Sequence, residues 1–203
     1  LSLGFVSSAS AATDEPTPAP APPTSENVDA EVAAIPDAAM RDKVEARVAE
    51  LRAQGAEMVS VASAPFELTA EAKAIIAKES AGGVSARALP SGCTISSMIW
   101  YLGGAVYDEA ITSCPTAFDK LVHDLRITGV NPANTLDNRV LQSGSFTAGS
   151  GGTSYGTSTM KWRCNNTNKT NFWGFARGTI WKNGVKWAGA EVYDTLTYQS
   201  CGW

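Results

Sequence analysis

Few residues of this sequence have the types and spacing that catalysis needs. The single histidine, His123, lies in an alternating stretch that places it on one face with Leu121 and Leu125. A serine-type hydrolase needs a nucleophile beside a histidine that a carboxylate orients, and no Gly-x-Ser-x-Gly turn is present. The pattern therefore predicts that His123 is a structural residue on a core-directed face.

Paired carboxylates are the second possible source of chemistry, because a glycosidase needs two of them about 5–10 Å apart across a cleft. Asp108 and Glu109 are adjacent and point to opposite faces of a predicted strand, as do Glu191 and Asp194 unless a bulge intervenes. No phosphate-binding loop, dinucleotide fingerprint or zinc motif is present. We therefore predict no catalytic residue and no cofactor, and a hydrolase ranks last among the functions considered.

Aromatic side chains remain as candidates for recognition, because they stack on sugars and anchor protein partners. They are densest between residues 171 and 198, where Asn183-Gly184 predicts a type I′ hairpin turn. A register centred on this turn places Trp173, Phe175 and Trp181 on a core face, although Arg177 also lies there. It places a second set on an outer face with a glycine stripe, namely Phe172, Ile180, Trp187 and Tyr193.

We predict a binding surface near this hairpin, formed by Trp181, Trp187, Tyr193 and Asp194. Val192 and Cys201 have opposite parity, so both point inward only if a bulge intervenes. We expect that bulge near Tyr193-Asp194, where it would re-aim these two side chains. The alternative, that most of the aromatic residues fill the core, remains open.

The four cysteines predict two disulfides of an exported domain. With a two-residue turn at 103–104, Cys93 and Cys114 oppose each other in one hairpin, which favours Cys93–Cys114 together with Cys164–Cys201. A miscounted strand would instead give Cys114–Cys164 with Cys93–Cys201, so this alternative stays open. A metal site is disfavoured, because no two cysteines have the close spacing of zinc ligands.

The composition changes along the chain and divides it into segments. Residues 1–12 have the pattern of a signal-peptide remnant, a short apolar stretch followed by small residues. Residues 13–36 are predicted to be a disordered linker rich in proline, alanine and acidic residues. Residues 37–87 contain two predicted amphipathic helices, at 37–54 and 69–79. They form either a stalk or a pro-segment that docks on the β-domain and is cleaved near Ala86-Arg87-Ala88.

Residues 88–203 are predicted to form a disulfide-bonded β-domain. Short strands joined by turns, with no helix between them, indicate an Ig-like two-sheet antiparallel sandwich of about seven strands. The segment has 9 basic and 7 acidic residues, which argues against nucleic acid, and the chain has no apolar run of transmembrane length. The predicted strands cover 93–102, 105–114, 119–129, 140–148, 158–164, 171–181 and 185–198.

Several features of residues 93–203 occur together: Cys114-Pro115 before a strand with Leu121 and Leu125, Cys164 ahead of an aromatic strand with Ala176, the Asn183-Gly184 hairpin, and Cys201. On these features the segment resembles small secreted β-sandwich proteins of actinomycete-type bacteria that have four cysteines. The chain departs from them in the six residues that separate Cys164 from Asn171, where a shorter link is expected. The resemblance implies export and a compact sandwich, and it implies no activity or functional residue.

Together these patterns favour a secreted, non-catalytic module, extracellular or associated with the cell envelope, that binds a protein or a glycan. A monomer is expected, with no nucleic-acid partner and no transmembrane segment. The alternative is a secreted toxin, bacteriocin or inhibitor that residues 27–87 hold inactive.

Overall fold

The computed structural model describes residues 28–81 and 90–203, which form three helices and seven strands. The predicted signal-peptide remnant, most of the predicted linker and the suggested cleavage region near residue 88 lie outside these residues. The helices are α1 (Val28–Ala33), α2 (Ala38–Ala53) and α3 (Ala70–Ala81). The strands are β1 (Glu57–Pro65), β2 (Glu67–Leu68), β3 (Thr94–Leu102), β4 (Ala105–Asn131), β5 (Asn134–Arg163), β6 (Asn166–Lys182) and β7 (Val185–Gly202).

The strands form one antiparallel sheet with the order β1-β3-β4-β6-β7-β2, and β5 pairs with β4 beside this path. Only Phe66 separates β1 from β2, yet these strands lie at the two ends of the order. The sheet therefore nearly closes on itself and is barrel-like. The mostly β, antiparallel architecture predicted from the sequence is confirmed, whereas an Ig-like sandwich is not.

Two long strands replace four of the predicted short ones. The first half of β4 pairs with β3 and its second half with β6, while β5 follows β4 through both halves. The β4–β5 register shifts between Ser113 and Phe118, around Pro115, which has no N–H to donate. On β5, Gly151 and Gly152 have φ of 70° and 83°, which favours glycine. The predicted turns at these positions are instead irregularities within continuous strands.

The segment predicted to be helical also contributes a strand. Helices α2 and α3 form close to the predicted positions, and Asp37 caps α2 by accepting a hydrogen bond from the N–H of Met40. Between them, β1 pairs with β3 and thereby joins the same sheet as residues 90–203. Helix α1 occupies the end of the predicted linker, because Val28 and Val32 are buried.

Two apolar clusters stabilise the molecule. The larger one fills the interior of the sheet, with Phe118 and Phe172 among its fully buried side chains. The smaller one lies between helices α1–α2 and strands β1, β3 and β4, where Val44 and Leu51 belong to one cluster with Met98. In the described part of the chain, no helix has the length and apolar character needed to cross a membrane.

Both disulfides have the pairing favoured by the sequence. Cys93 is bonded to Cys114 and Cys164 to Cys201, which excludes the alternative connectivity. The first joins the start of β3 to the middle of β4. The second ties the end of β7 to the loop before β6, which closes a chain segment that contains the whole β6–β7 hairpin.

The register of the β6–β7 hairpin differs from the predicted one by a bulge at Trp187. Trp181 pairs with Lys186 as predicted, but Ile180 pairs with Ala188, so Trp187 is an extra residue. A one-residue shift exchanges the faces of a strand, so the two faces of β6 are interchanged relative to the prediction. Phe172 and Ile180 point into the core, and Phe175 points outward.

The parity difference between Val192 and Cys201 is resolved near the end of β7 and not at Tyr193-Asp194. A second register shift lies between Thr170 and Phe172 of β6, and Tyr198 opposite it has a positive φ of 53°. Pairing is regular from Ala188 to Leu196, so the predicted position of this bulge is wrong.

Candidate functional site

The outer face of the sheet carries a cluster of aromatic and cationic side chains, which we call the Phe175 cluster. It consists of Arg126 on β4, Phe175 and Arg177 on β6, and Tyr193 on β7. Arg126, Phe175 and Tyr193 are successive register partners across the three strands. The guanidinium carbons of Arg126 and Arg177 lie 4.7 and 5.7 Å from the centre of the Phe175 ring. The Tyr193 ring is 5.0 Å from it and tilted by 51°.

The cluster is a partly exposed surface with fixed geometry. Tyr193 is 43% exposed, whereas Phe175 is covered by its neighbours. Glu191 holds Arg177 in place, since both Nε and Nη2 of Arg177 donate to Glu191 Oε1 at 2.7 and 2.6 Å. Cation–π contacts at exposed sites stabilise by about 0.5–1 kcal/mol each. The cluster can therefore stack on a ligand and donate hydrogen bonds to it without first becoming ordered.

A groove lies next to the Phe175 cluster, between the β1–β2 corner and strands β6 and β7. Its volume is about 480 Å³. Arg177 of the cluster also lines the groove, together with its ion-pair partner Glu191, so the two features are joined. The lining of the groove also includes Pro65 and Glu67 from the β1–β2 corner and Lys186 from β7.

The structure brings only one of the four predicted binding residues into the Phe175 cluster. Tyr193 belongs to it, and Trp181 lies at the turn end of β6, with the Nζ of Lys120 5.2 Å from its ring. Trp187 is 1% exposed and its indole donates to the Pro90 carbonyl at 2.7 Å. Asp194 is fully buried. Trp187 and Asp194 therefore face the interior and do not line this surface.

The sequence interpretation missed Arg126, Phe175 and Arg177 as site residues. The signal that would have found them was the charge of Arg177 on a face assigned to the core, since unpaired cations are almost never fully buried. Shifting the pairing of β6 with β7 by one residue places Arg177 and Phe175 on the outer face of the sheet.

Asp194 instead forms a buried carboxyl pair with Asp108 inside the sheet. Asp108 Oδ1 accepts a hydrogen bond from the Ser97 hydroxyl at 3.1 Å, while Asp108 Oδ2 and both oxygens of Asp194 have no hydrogen-bond partner among the described residues. Gly174 separates the two carboxyls: a methyl group there would collide with Asp194 Oδ1 and lie 3.2 Å from Asp108 Oδ1.

Burial controls the protonation of this pair. Burial, and after it the charge of Asp194, raises the pKa of Asp108 well above its usual range. Burial, with a further contribution from the charge of Glu31, raises the pKa of Asp194 to about 8. Two close carboxylates in a low-dielectric interior cannot both ionise at neutral pH. Because both side chains are fully buried, the pair is part of the core and has no access to a substrate in this structure.

His123 also lies inside the sheet, as the sequence predicts. Its Nε2 is 2.8 Å from Thr112 Oγ1 and its Nδ1 is 3.2 Å from Ser158 Oγ, so both ring nitrogens bond to hydroxyls. Burial lowers the pKa of His123 to about 4, which keeps the ring neutral. A catalytic histidine of the triad type is oriented by a carboxylate, and in this geometry a hydroxyl takes that place.

The described residues, 28–81 and 90–203, contain no group of three or more His, Cys, Asp or Glu side chains that could hold a metal ion. Comparisons with protein-family models, with curated proteins and with solved structures find no match.

Proposed function

We propose that this protein is an exported, non-catalytic β-domain that binds a protein or a glycan through the outer face of β4, β6 and β7. The observation that carries the proposal is the Phe175 cluster, in which a row of side chains crosses three strands. Tyrosine and arginine are enriched at the centres of binding surfaces, where they contribute most of the affinity. A single exposed tyrosine on a protein surface is ordinary. Tyr193 differs because it packs on the Phe175 ring between two arginines, which orients its side chain before a ligand binds.

The fixed geometry of the cluster supports binding over a merely solvated surface. Ordering a long side chain costs about 0.5–1.5 kcal/mol when a ligand binds. The Arg177–Glu191 ion pair and the two cation–π contacts restrict the arginine side chains in the free protein, so less ordering remains to be done when a ligand binds. Tyr193 and, on the same outer side, Trp181 remain as contact residues, and Phe175 supports them as the ring on which Tyr193 and the two arginines pack.

Export is the second part of the proposal. Two disulfides persist in oxidising compartments, and the pattern of residues 1–12 is typical of the end of a signal peptide. We extend the resemblance of residues 93–203 to secreted four-cysteine sandwich proteins of actinomycete-type bacteria and treat the nearly closed sheet as a variant of an Ig-like sandwich. The proposed location is the medium or the cell envelope.

The packing of residues 28–81 favours a binding module over a released toxin or inhibitor. Strand β1 is part of the sheet, and a side chain at Gly178 would collide with Phe66, which fills the interior there. Cleavage near residue 88 followed by release would remove both from the fold. A pro-segment that leaves an intact domain behind is therefore the less favoured proposal.

Cosedimentation with insoluble envelope material tests the proposal, with protein-free polysaccharide and envelope protein assayed in parallel. The Tyr193→Ala protein should bind at least about tenfold more weakly, a loss of about 1.4 kcal/mol. Tyr198→Ala is the matched control, because Tyr198 is a 63% exposed tyrosine five positions along the same strand. Equal binding by the wild type and both folded variants, or no binding to either material, would overturn the proposal.

A further inference from the structure

The charged residues that line the groove beside the Phe175 cluster indicate which class of ligand it binds. Its charged groups are Glu67, Arg177, Lys186 and Glu191, two acids and two bases. Such a lining produces no field of one sign, and it therefore does not favour a polyanion or a polycation. It offers hydrogen-bond donors and acceptors side by side.

A polyhydroxylated ligand matches this lining. Each hydroxyl both donates and accepts, so one ligand can use the guanidinium of Arg177 and the carboxylate of Glu191 at the same wall. Tyr193 stands next to that wall and presents a ring on which an apolar sugar face can stack. The volume of about 480 Å³ falls within the range of roughly 300–1,000 Å³ that small-molecule sites occupy.

Glycine keeps the groove open. Gly189 pairs with Glu67 on one side and with Thr179 on the other, and it lines the groove. A methyl group at Gly189 would meet only the Gly178 carbonyl oxygen, at 3.7 Å, which is an ordinary contact. A side chain at this position therefore enters the groove and not the core.

We infer that this groove binds a short segment of a neutral polysaccharide, with a sugar ring on Tyr193 and its hydroxyls on Arg177 and Glu191. This inference rests on the proposed function and names the ligand class. A protein partner and an anionic polysaccharide are the alternatives, and each predicts a different result in the experiment below.

The experiment measures retention of the full chain by affinity electrophoresis in gels that contain a neutral polysaccharide (a glucan, a mannan or an arabinogalactan) or the anionic polygalacturonate. The expected result is retention by at least one neutral polymer, unchanged at high salt, because no counterions are released. Gly189→Val should weaken this retention about tenfold or more by filling the groove. Thr157→Val, at an exposed position of β5, is the matched control and should behave as the wild type.

Glu191→Gln provides a second variant that keeps the shape of an exposed side chain, and it should weaken neutral-polymer retention as well. Retention of the Gly189→Val protein equal to that of the wild type would overturn the inference. So would binding only to polygalacturonate or to envelope protein, although Tyr193-dependent binding of that kind would leave the proposed function standing. If no polysaccharide and no envelope protein binds, both the inference and the proposed function fail.

Discussion

Asp108 and Asp194 come from strands β4 and β7 and face the same glycine, Gly174, inside the sheet. Three of their four oxygens lack a hydrogen bond of ordinary geometry among the described residues, and the Ser97 hydroxyl and nearby backbone N–H groups offset only part of the effect of burial. Burying an ionised carboxylate without a partner costs free energy, so a buried carboxyl group stays protonated to a higher pH than an exposed one. The pair is therefore a source of pH-dependent stability in the core.

The raised pKa values predict that stability falls as the pH rises. The folded state holds a proton that the unfolded chain releases above about pH 4, so the stabilisation is complete below that pH and is lost as the pH passes about 8. The Asp194→Asn protein should lose less stability between pH 5 and pH 9. At pH 9 its melting temperature should exceed that of the wild type by about 5 °C or more.

Calorimetric melting curves across that pH range check this prediction. Asp42→Asn is the matched control, because Asp42 is an exposed carboxylate on α2 and its loss should leave the wild-type profile unchanged. A wild-type melting temperature that rises toward pH 9, or an Asp194→Asn profile that parallels the wild type, would show that the pair is not protonated in the folded state.

His123 should act in the opposite direction, on the acid side. Its pKa is lowered to about 4, so the stabilisation is present above about pH 6.5 and is lost as the pH falls through about 4. An NMR titration of the imidazole should place its midpoint near pH 4. The His123→Gln protein should be less stable at pH 7, since contacts to Thr112 and Ser158 are altered, but should lose less stability on acidification. A titration midpoint at or above about 6.5 would contradict this environment.

Gly174→Ala should destabilise the protein strongly, because a methyl group collides with Asp194 Oδ1 in a packed interior. Overpacking of a core costs about 1–3 kcal/mol, and the displaced carboxyl places the effect at the upper end. Gly189→Ala on the neighbouring strand is the control, since its methyl group meets only an ordinary contact. Urea unfolding compares the two proteins, and equal midpoints would show that the carboxyl pair is not placed as described here.

Some of this architecture could be predicted from the sequence, because it depends on local geometry. Asn183 and Gly184 have φ of 52° and 76°, as a type I′ turn requires, and the turn at 103–104 sets Cys93 opposite Cys114. Strand β1 could not be predicted in the same way. It is rich in alanine and serine, and it becomes a strand because β3 supplies a pairing partner from a distant part of the chain.

The candidate site could be predicted only in part, since the bulge at Trp187 is a tertiary feature. The extra residue turns an indole inward to a carbonyl at Pro90, far away in the sequence, and no local pattern indicates that acceptor. Without this bulge the two faces of β6 are exchanged, so the sequence places Phe175 in the core. Beyond the bulge the alternation of β7 is regular, and it places Tyr193 on the outer face, where the structure has it.

The position of Trp187 makes its substitution a test of the fold and not of binding. Trp187→Ala should cost about 3–5 kcal/mol, because a fully buried ring and its hydrogen bond are lost. Trp181→Ala, at a partly exposed position of the same hairpin, should cost clearly less. Denaturant titrations of both proteins check this order, and an unfolding midpoint for Trp187→Ala close to the wild-type value would contradict the interior placement.

The most direct test of the proposed binding surface is chemical-shift mapping of the isotope-labelled full chain during titration with oligosaccharides released from purified envelope polysaccharide. The perturbed amides should cluster at Arg126, Phe175, Arg177 and Tyr193 and along the groove at Gly189. Perturbations that are absent, or that lie instead on β5 between residues 138 and 150, would contradict the assignment of binding to the outer face of β4, β6 and β7.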